Sequence, residues 1–417
     1  MSKSGLTRSL GVLDTTGIAL GAIIGAGIFV TINQASAAAG SAFLLALPIG
    51  AIVAGLSGLS SVELGIRYPK SGGAYEFGRV LISPVVGFIG GWLYLLGGIT
   101  ASSTFAIAFT GYFNLLLPGV SLKLATIVLI AFATAFNYFG VRTSSLVNGL
   151  LVITKVGVLV GFVIIGIPSV SMVNFQPFDP GNIGGLFRAS ALMVFAYAGF
   201  ARPVTLVEEV SCPQKTLPQA MFSALFIASA LYFATSSVAI GVLGSNAIEQ
   251  SKAPLSKAAV SFAGYPGEIV VSIGALTAIG SVLLTEVLAL SRVVFAMARG
   301  GDLPAWLAVV HPRYLVPARA VILVGLFIIL PALYATLGTV ITASSLTFLI
   351  YYALMNICAL RLKDKQIYNR LIPIGGLATA LILAFALPLE SAIINAVVVV
   401  IGIAYYYWVK PFINKNR

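Results

Sequence analysis

Between Asp14 and Glu63 lie 48 consecutive residues without a charge, and between Arg79 and Lys123 another 43. A helix crosses the hydrocarbon core of a bilayer in about 20 mostly apolar residues. The first run therefore has room for two spans, with a turn near Gly40-Ser41, and the second for one long span over 84–112. The whole chain agrees: of 417 residues, 59% are hydrophobic and 9% charged, at a mean hydropathy of +1.04. Soluble proteins are roughly 25% charged, and a soluble fold buries only about three quarters of its surface at ~300 residues. The remaining solvent is lipid.

Further apolar runs predict spans at 124–141, 146–167, 188–206, 217–243, 269–298, 320–337, 341–360, 371–389 and 391–409, twelve in all. With the N-terminus inside, the inner loops receive 18 Lys and Arg. The outer side receives only Lys123, Arg188, Lys252 and Lys257. That asymmetry orients the chain with both termini cytoplasmic. It also accounts for the net charge of +12 without a nucleic-acid partner. The segment 1–13 lacks a cleavable signal pattern, so the first apolar segment is expected to stay.

Several chemistries fall away. Two cysteines, Cys212 and Cys358, and one histidine, His311, build neither a disulfide framework nor a metal cluster. A hydrolytic triad would depend on that loop histidine. No Walker A sequence is present, which excludes an ATP-driven pump, and nothing calls for a cofactor.

Two spans are interrupted. The first carries Gly17, Gly21, Gly25 and Gly27, of which the first three suit close helix packing. Gly25-Ala26-Gly27 weakens the helix itself, and free backbone groups at mid-membrane are tolerated only where they line a site. The sixth span carries Gly199 four residues before Pro203, with Arg202 between. Breaks five helices apart are the expected trace of two inverted repeats with a site between them.

Four stretches then resemble a known family: Gly21-Ala22-Ile23-Ile24-Gly25-Ala26-Gly27-Ile28-Phe29, Tyr68-Pro69-Lys70-Ser71-Gly72-Gly73-Ala74-Tyr75, the run 195–200, and Ser291-Arg292 through Leu303-Pro304. In this order and spacing they are similar to the amino acid–polyamine–organocation transporters. The resemblance implies an all-α polytopic membrane protein with a LeuT-like 5+5 inverted repeat, 13–168 against 187–361, plus two peripheral helices over 370–410. It implies secondary active transport of amino acids at the cell membrane, sodium-independent, as proton-coupled symporter or exchanger. Polyamines or other organic amines are the alternative cargo. A non-transporting sensor or channel is the alternative class.

By the same resemblance the substrate carboxylate sits on the N–H groups of Ala26, Gly27 and Ile28, beside Gly25. The ammonium is held by carbonyls of Ile23, Phe195 and Ala198, near Tyr197 and Gly199, with Phe195 as an aromatic gate. The third span contributes Gly97, Gly98 and Ser102. Lys155, deep in the fifth span, takes the place of a sodium ion, either as a proton-coupling group or as a fixed strut bridging carbonyls near 21–24 to the eighth span.

Where many relatives have an acid after Gly-Phe in the sixth span, this chain has Ala201 and Arg202, and Arg202 can pair with Glu208 or Glu209. Glu286, mid-way along the eighth span, faces the substrate cavity by resemblance. It either stays ionised beside a cation, exchanges a proton during the cycle, or is satisfied by a neighbouring hydroxyl.

Overall fold

The first uncharged run folds into α1 (Val12–Ile23), α2 (Gly27–Ala39) and α3 (Ala46–Arg67) in the computed structural model. The structure describes residues 10–68, 73–140, 145–200, 204, 207, 210–362 and 367–411, with backbone alone at 145–148. α1 begins where the Asp14 carboxylate accepts the Gly11 N–H at 3.2 Å, an acid at the positive end of the helix. α2 ends at Gly40, whose φ of 55° few other residues adopt. A short 3-10 turn then leads into α3.

Next come α4 (Ala74–Leu81), α5 (Pro84–Leu116), α6 (Leu122–Tyr138), α7 (Ser145–Gly166) and α8 (Ile183–Tyr197). α4 is an amphipathic helix too short to span. Ser83 caps α5 by accepting the Val86 N–H at 3.3 Å, with Pro84 in the first turn. Asn182 caps α8 through the Gly185 N–H at 2.9 Å. α8 starts five residues before the expected 188 and stops at Tyr197, where Ala198 turns extended and Gly199 takes a φ of 117°.

Beyond lie α9 (Pro213–Leu243), α10 (Ser245–Glu249), α11 (Pro254–Arg299), α12 (Ala318–Tyr334), α13 (Leu337–Leu360), α14 (Leu371–Phe385) and α15 (Leu389–Ala404). α11 turns a corner at Gly264, whose φ is 60°. The stretch 254–263 is therefore a separate segment that span counting passes over.

Burial is inside out. Phe385 is 87% exposed and Phe226 75%, while Asn356 is fully buried, donating to Ser57 at 3.1 Å and accepting from Ser60 at 2.7 Å. Polar groups that hydrogen-bond each other inside an apolar shell are what a lipid solvent selects. Among the described residues seven helical runs are long and apolar enough to cross a membrane, and five shorter apolar helices accompany them.

α1 packs on α9, α2 and α3 on α8, and α11 and α13 on α5. α15 lies outermost, hung on α5 by the Trp92 Nε1–H, which donates to the Val398 carbonyl at 2.9 Å. At one end of the bundle the buried Asp302 gathers three donors: the Tyr75 hydroxyl at 2.7 Å, Lys410 Nζ at 2.5 Å and the Arg79 guanidinium at 3.6 Å. Burial, then the Asp302 carboxylate, pushes the Tyr75 phenol well above its ordinary pKa, so it stays a donor.

Candidate functional site

The candidate site lies where α1 and α8 stop being helical. A helix that ends leaves its last four carbonyls without partners, and three of those of α1 have a traceable partner. Leu20 keeps its bond, from the Ile24 N–H at 2.8 Å. Gly21 would ordinarily serve Gly25, but the Gly25 N–H turns to the Ile23 carbonyl at 2.7 Å. The Gly21 carbonyl is taken instead by Lys155 Nζ at 2.7 Å. Ile23 also accepts the Tyr232 hydroxyl at 2.7 Å. Ala22 lies against Gly199, where a Cβ would come 2.6 Å from its oxygen.

The two breaks thus touch each other. Gly27, the first residue of α2, lies so close to α8 that a Cβ there would stand 2.5 Å from the Ala196 Cα. Gly25 faces Val282 of α11 in the same way, at 2.3 Å from its Cγ2. These two glycines and Gly199 are required by close approach. The start of α2 is buried, and Ala26 at its N-cap has no side chain with which to cap it.

A cavity of about 130 Å³ opens at this junction. Of the expected site residues, Ile23, Gly25, Ala26, Gly27, Phe195, Ala198, Gly199 and Glu286 line it. Ile28, Gly97, Ser102 and Tyr197 do not. Ile28 points into the core. Gly97 is a packing glycine of α5, its carbonyl accepting the Ser344 hydroxyl of α13 at 3.0 Å. Ala101 lies on the wall where Ser102 was expected, because neighbours on a helix are about 100° apart. The Tyr197 ring turns away onto Tyr232, 5.5 Å between centroids.

Sequence reasoning missed most of the aromatic lining. Tyr94 and Phe105 come from α5, and Phe348, Tyr351 and Tyr352 from α13. Their spacings, 94-98-101-105 and 348-351-352, are single helix faces. Position 98 on that face is glycine, and a Cβ there would lie 2.9 Å from Glu286 Oε1. Gly98 makes room for the carboxylate.

Lys155 is 2% exposed and does not line the cavity. Its ammonium joins the Gly21 carbonyl to the Ser281 hydroxyl of α11 at 3.4 Å, so one side chain ties α7, α1 and α11 together. Arg202, Glu208 and Glu209 lie outside the described residues, as do Lys70, Ser71 and Gly72 of the second motif. His311 closes a loop, its Nδ1 accepting the N–H groups of Arg313 and Tyr314 at 3.2 and 3.3 Å. Among the described residues no group of three or more His, Cys, Asp or Glu could hold a metal ion.

Residues 10–413 match the model of the amino acid permease family. The chain belongs to that family. It is 39% identical over 406 residues to an uncharacterized transporter of Mycobacterium tuberculosis (strain ATCC 25618 / H37Rv), covering 96% of this chain and 91% of that one. It is 31% identical to the methylthioribose transporter of Bacillus subtilis (strain 168), over 88% of this chain and 83% of the relative. A branched-chain amino acid permease of the same Bacillus strain is 28% identical, over 87% and 83%. With its apolar helices, this permease-family chain is a multi-pass membrane protein.

Proposed function

We propose that this permease is a secondary transporter that moves amino acids across the cell membrane by alternating access, as exchanger or proton-coupled symporter, without sodium. One observation supports this above the others. The buried, uncapped start of α2 and the carbonyl end of α8 meet at one cavity. A helix start with free N–H groups attracts a carboxylate, and a carbonyl end attracts an ammonium. An amino acid zwitterion carries both.

In this reading the carboxylate sits on the N–H groups of Ala26, Gly27 and Ile28, and Phe195 covers it. The Ile23 carbonyl is already engaged by Tyr232 and Gly25. The ammonium therefore falls mainly to the Ala198 carbonyl and to the remaining lone pair of Phe195, whose carbonyl accepts the Ala198 N–H at 3.0 Å. α1 and α2 together form the first of twelve spans, in repeats over 13–168 and 187–361 with peripheral spans over 370–410 and both termini cytoplasmic. Lys155 supplies a positive charge where a sodium ion would otherwise bridge the first and eighth spans, as a fixed cation or as the proton carrier.

Counterflow tests the reading. Proteoliposomes preloaded with an unlabelled amino acid should accelerate entry of the labelled one. Binding without acceleration would make the protein a sensor. Failure of every amino acid in a full panel would overturn the reading.

A further inference from the structure

Carboxylates are scarce in this chain, 12 in 417 residues, and Glu286 is set into the cavity wall with 8% of its surface exposed. Around it in the same wall stand Tyr94, Phe105, Phe195, Phe348, Tyr351 and Tyr352. The rings form a continuous lining: Phe195 lies 5.8 Å from Phe105 and 6.3 Å from Phe348, and Tyr94 lies 5.8 Å from Tyr351, centroid to centroid. A carboxylate and the faces of aromatic rings attract the same kind of guest. Both favour a cation, the first by charge-assisted hydrogen bonds and the second through the ring quadrupole.

The fold also sets a distance. Val282 is the α11 residue against which Gly25 packs, and Glu286 follows it by one turn. Four residues of helix rise about 6 Å. Glu286 therefore lies about 6 Å along α11 from the wall that faces Gly25, on the scale of an extended side chain of three or four methylenes. Gly98 reserves the space, since any side chain there would press on Glu286 Oε1.

We infer that the cavity selects basic amino acids, with Glu286 receiving the side-chain cation inside the aromatic lining. The inference rests on the amino acid carrier reading above and narrows its substrate class. L-norleucine is the matching probe, because it is L-lysine without the ammonium group.

The test compares counterflow of labelled L-lysine and labelled L-norleucine in proteoliposomes holding the full-length protein. Wild-type protein should favour lysine by about tenfold or more, the range of a hydrogen bond to a charged group. Glu286→Gln should reduce that preference by about ten- to a hundredfold. Glu286→Asp should keep its direction, which controls for folding. Wild-type counterflow of neutral amino acids with lysine excluded would overturn the inference and leave the carrier standing. So would an unchanged lysine to norleucine ratio in a Glu286→Gln protein that still turns over. Should Glu286→Gln fail to fold, the wild-type ratio and the Glu286→Asp ratio decide alone. Absence of counterflow for every amino acid would overturn the carrier reading itself, and the inference with it.

Discussion

Alanine at Gly27 tests how the two broken helices meet. Its Cβ would stand 2.5 Å from the Cα and 2.6 Å from the carbonyl oxygen of Ala196. Both are backbone atoms of α8, so no rotamer relieves the contact. The helices must part by about 1 Å to restore ordinary packing, an overpacking that costs ~1–3 kcal/mol. Gly25→Ala is the matched control. There the obstructing atom is Val282 Cγ2 at 2.3 Å, while Val282 Cβ stays 3.4 Å away. Removing that methyl in a Gly25→Ala/Val282→Ala protein leaves ordinary contact. Gly27→Ala should therefore lower the melting temperature in detergent and abolish counterflow, with no rescue by Ala196→Gly, which leaves the backbone atoms in place. Gly25→Ala should be impaired alone and recover most of its exchange when paired with Val282→Ala. Gly27→Ala with wild-type melting and wild-type counterflow would refute the close crossing of α2 and α8.

Replacing sodium by choline should leave uptake unchanged, because a second cation beside the Lys155 ammonium would be strongly repelled in an apolar interior. Lys155→Ala leaves the Gly21 carbonyl without its donor, a cost of about 1–3 kcal/mol, and should stop exchange as measured by counterflow. Asp302→Asn removes the charge shared by Tyr75, Lys410 and Arg79, and should lower thermal stability by about 1–3 kcal/mol in a detergent melting assay. Gly98→Ala meets the side chains of Leu290 and Glu286 and no backbone atom among its nearest neighbours, so the protein should fold while losing part of its preference for lysine over norleucine.

The break in the first span is readable from sequence because it is written in backbone chemistry. Gly25 and Gly27 deny the helix its propensity at a depth where water cannot compensate. Lys155 and Glu286 stand out for a related reason, since a charge in an apolar run is costly wherever it lies. The lining is not readable in this way. Tyr94, Phe105, Phe348, Tyr351 and Tyr352 lie on helix faces toward the cavity, but the other faces of α5 and α13 pack on neighbouring helices and are as buried and apolar. Hydrophobic periodicity, which separates inside from outside in water, has no contrast here. Ser102 shows the consequence: the hydroxyl invites a binding role, yet Ala101 holds the wall. Gly97 and Tyr197 mislead similarly, since only the phase of α5 and the last turn of α8 decide which way they face. α4 carries a clear amphipathic pattern, with Tyr75 and Phe77 buried beside Glu76 and Arg79, but it is too short to register in a count of spans.

α11 is unbroken from the corner at Gly264 to Arg299. The cavity wall at Glu286 and the helix end at Arg299 therefore belong to one rod, about 20 Å apart. A rod multiplies rotation by its length, and a tilt of about 5° pivoting near Glu286 swings the far end by roughly 2 Å. Three residues past that end, Asp302 holds the Tyr75 hydroxyl at 2.7 Å. The clasp that joins α4 and the chain beyond α15 is thus carried by the same helix that walls the cavity at Glu286.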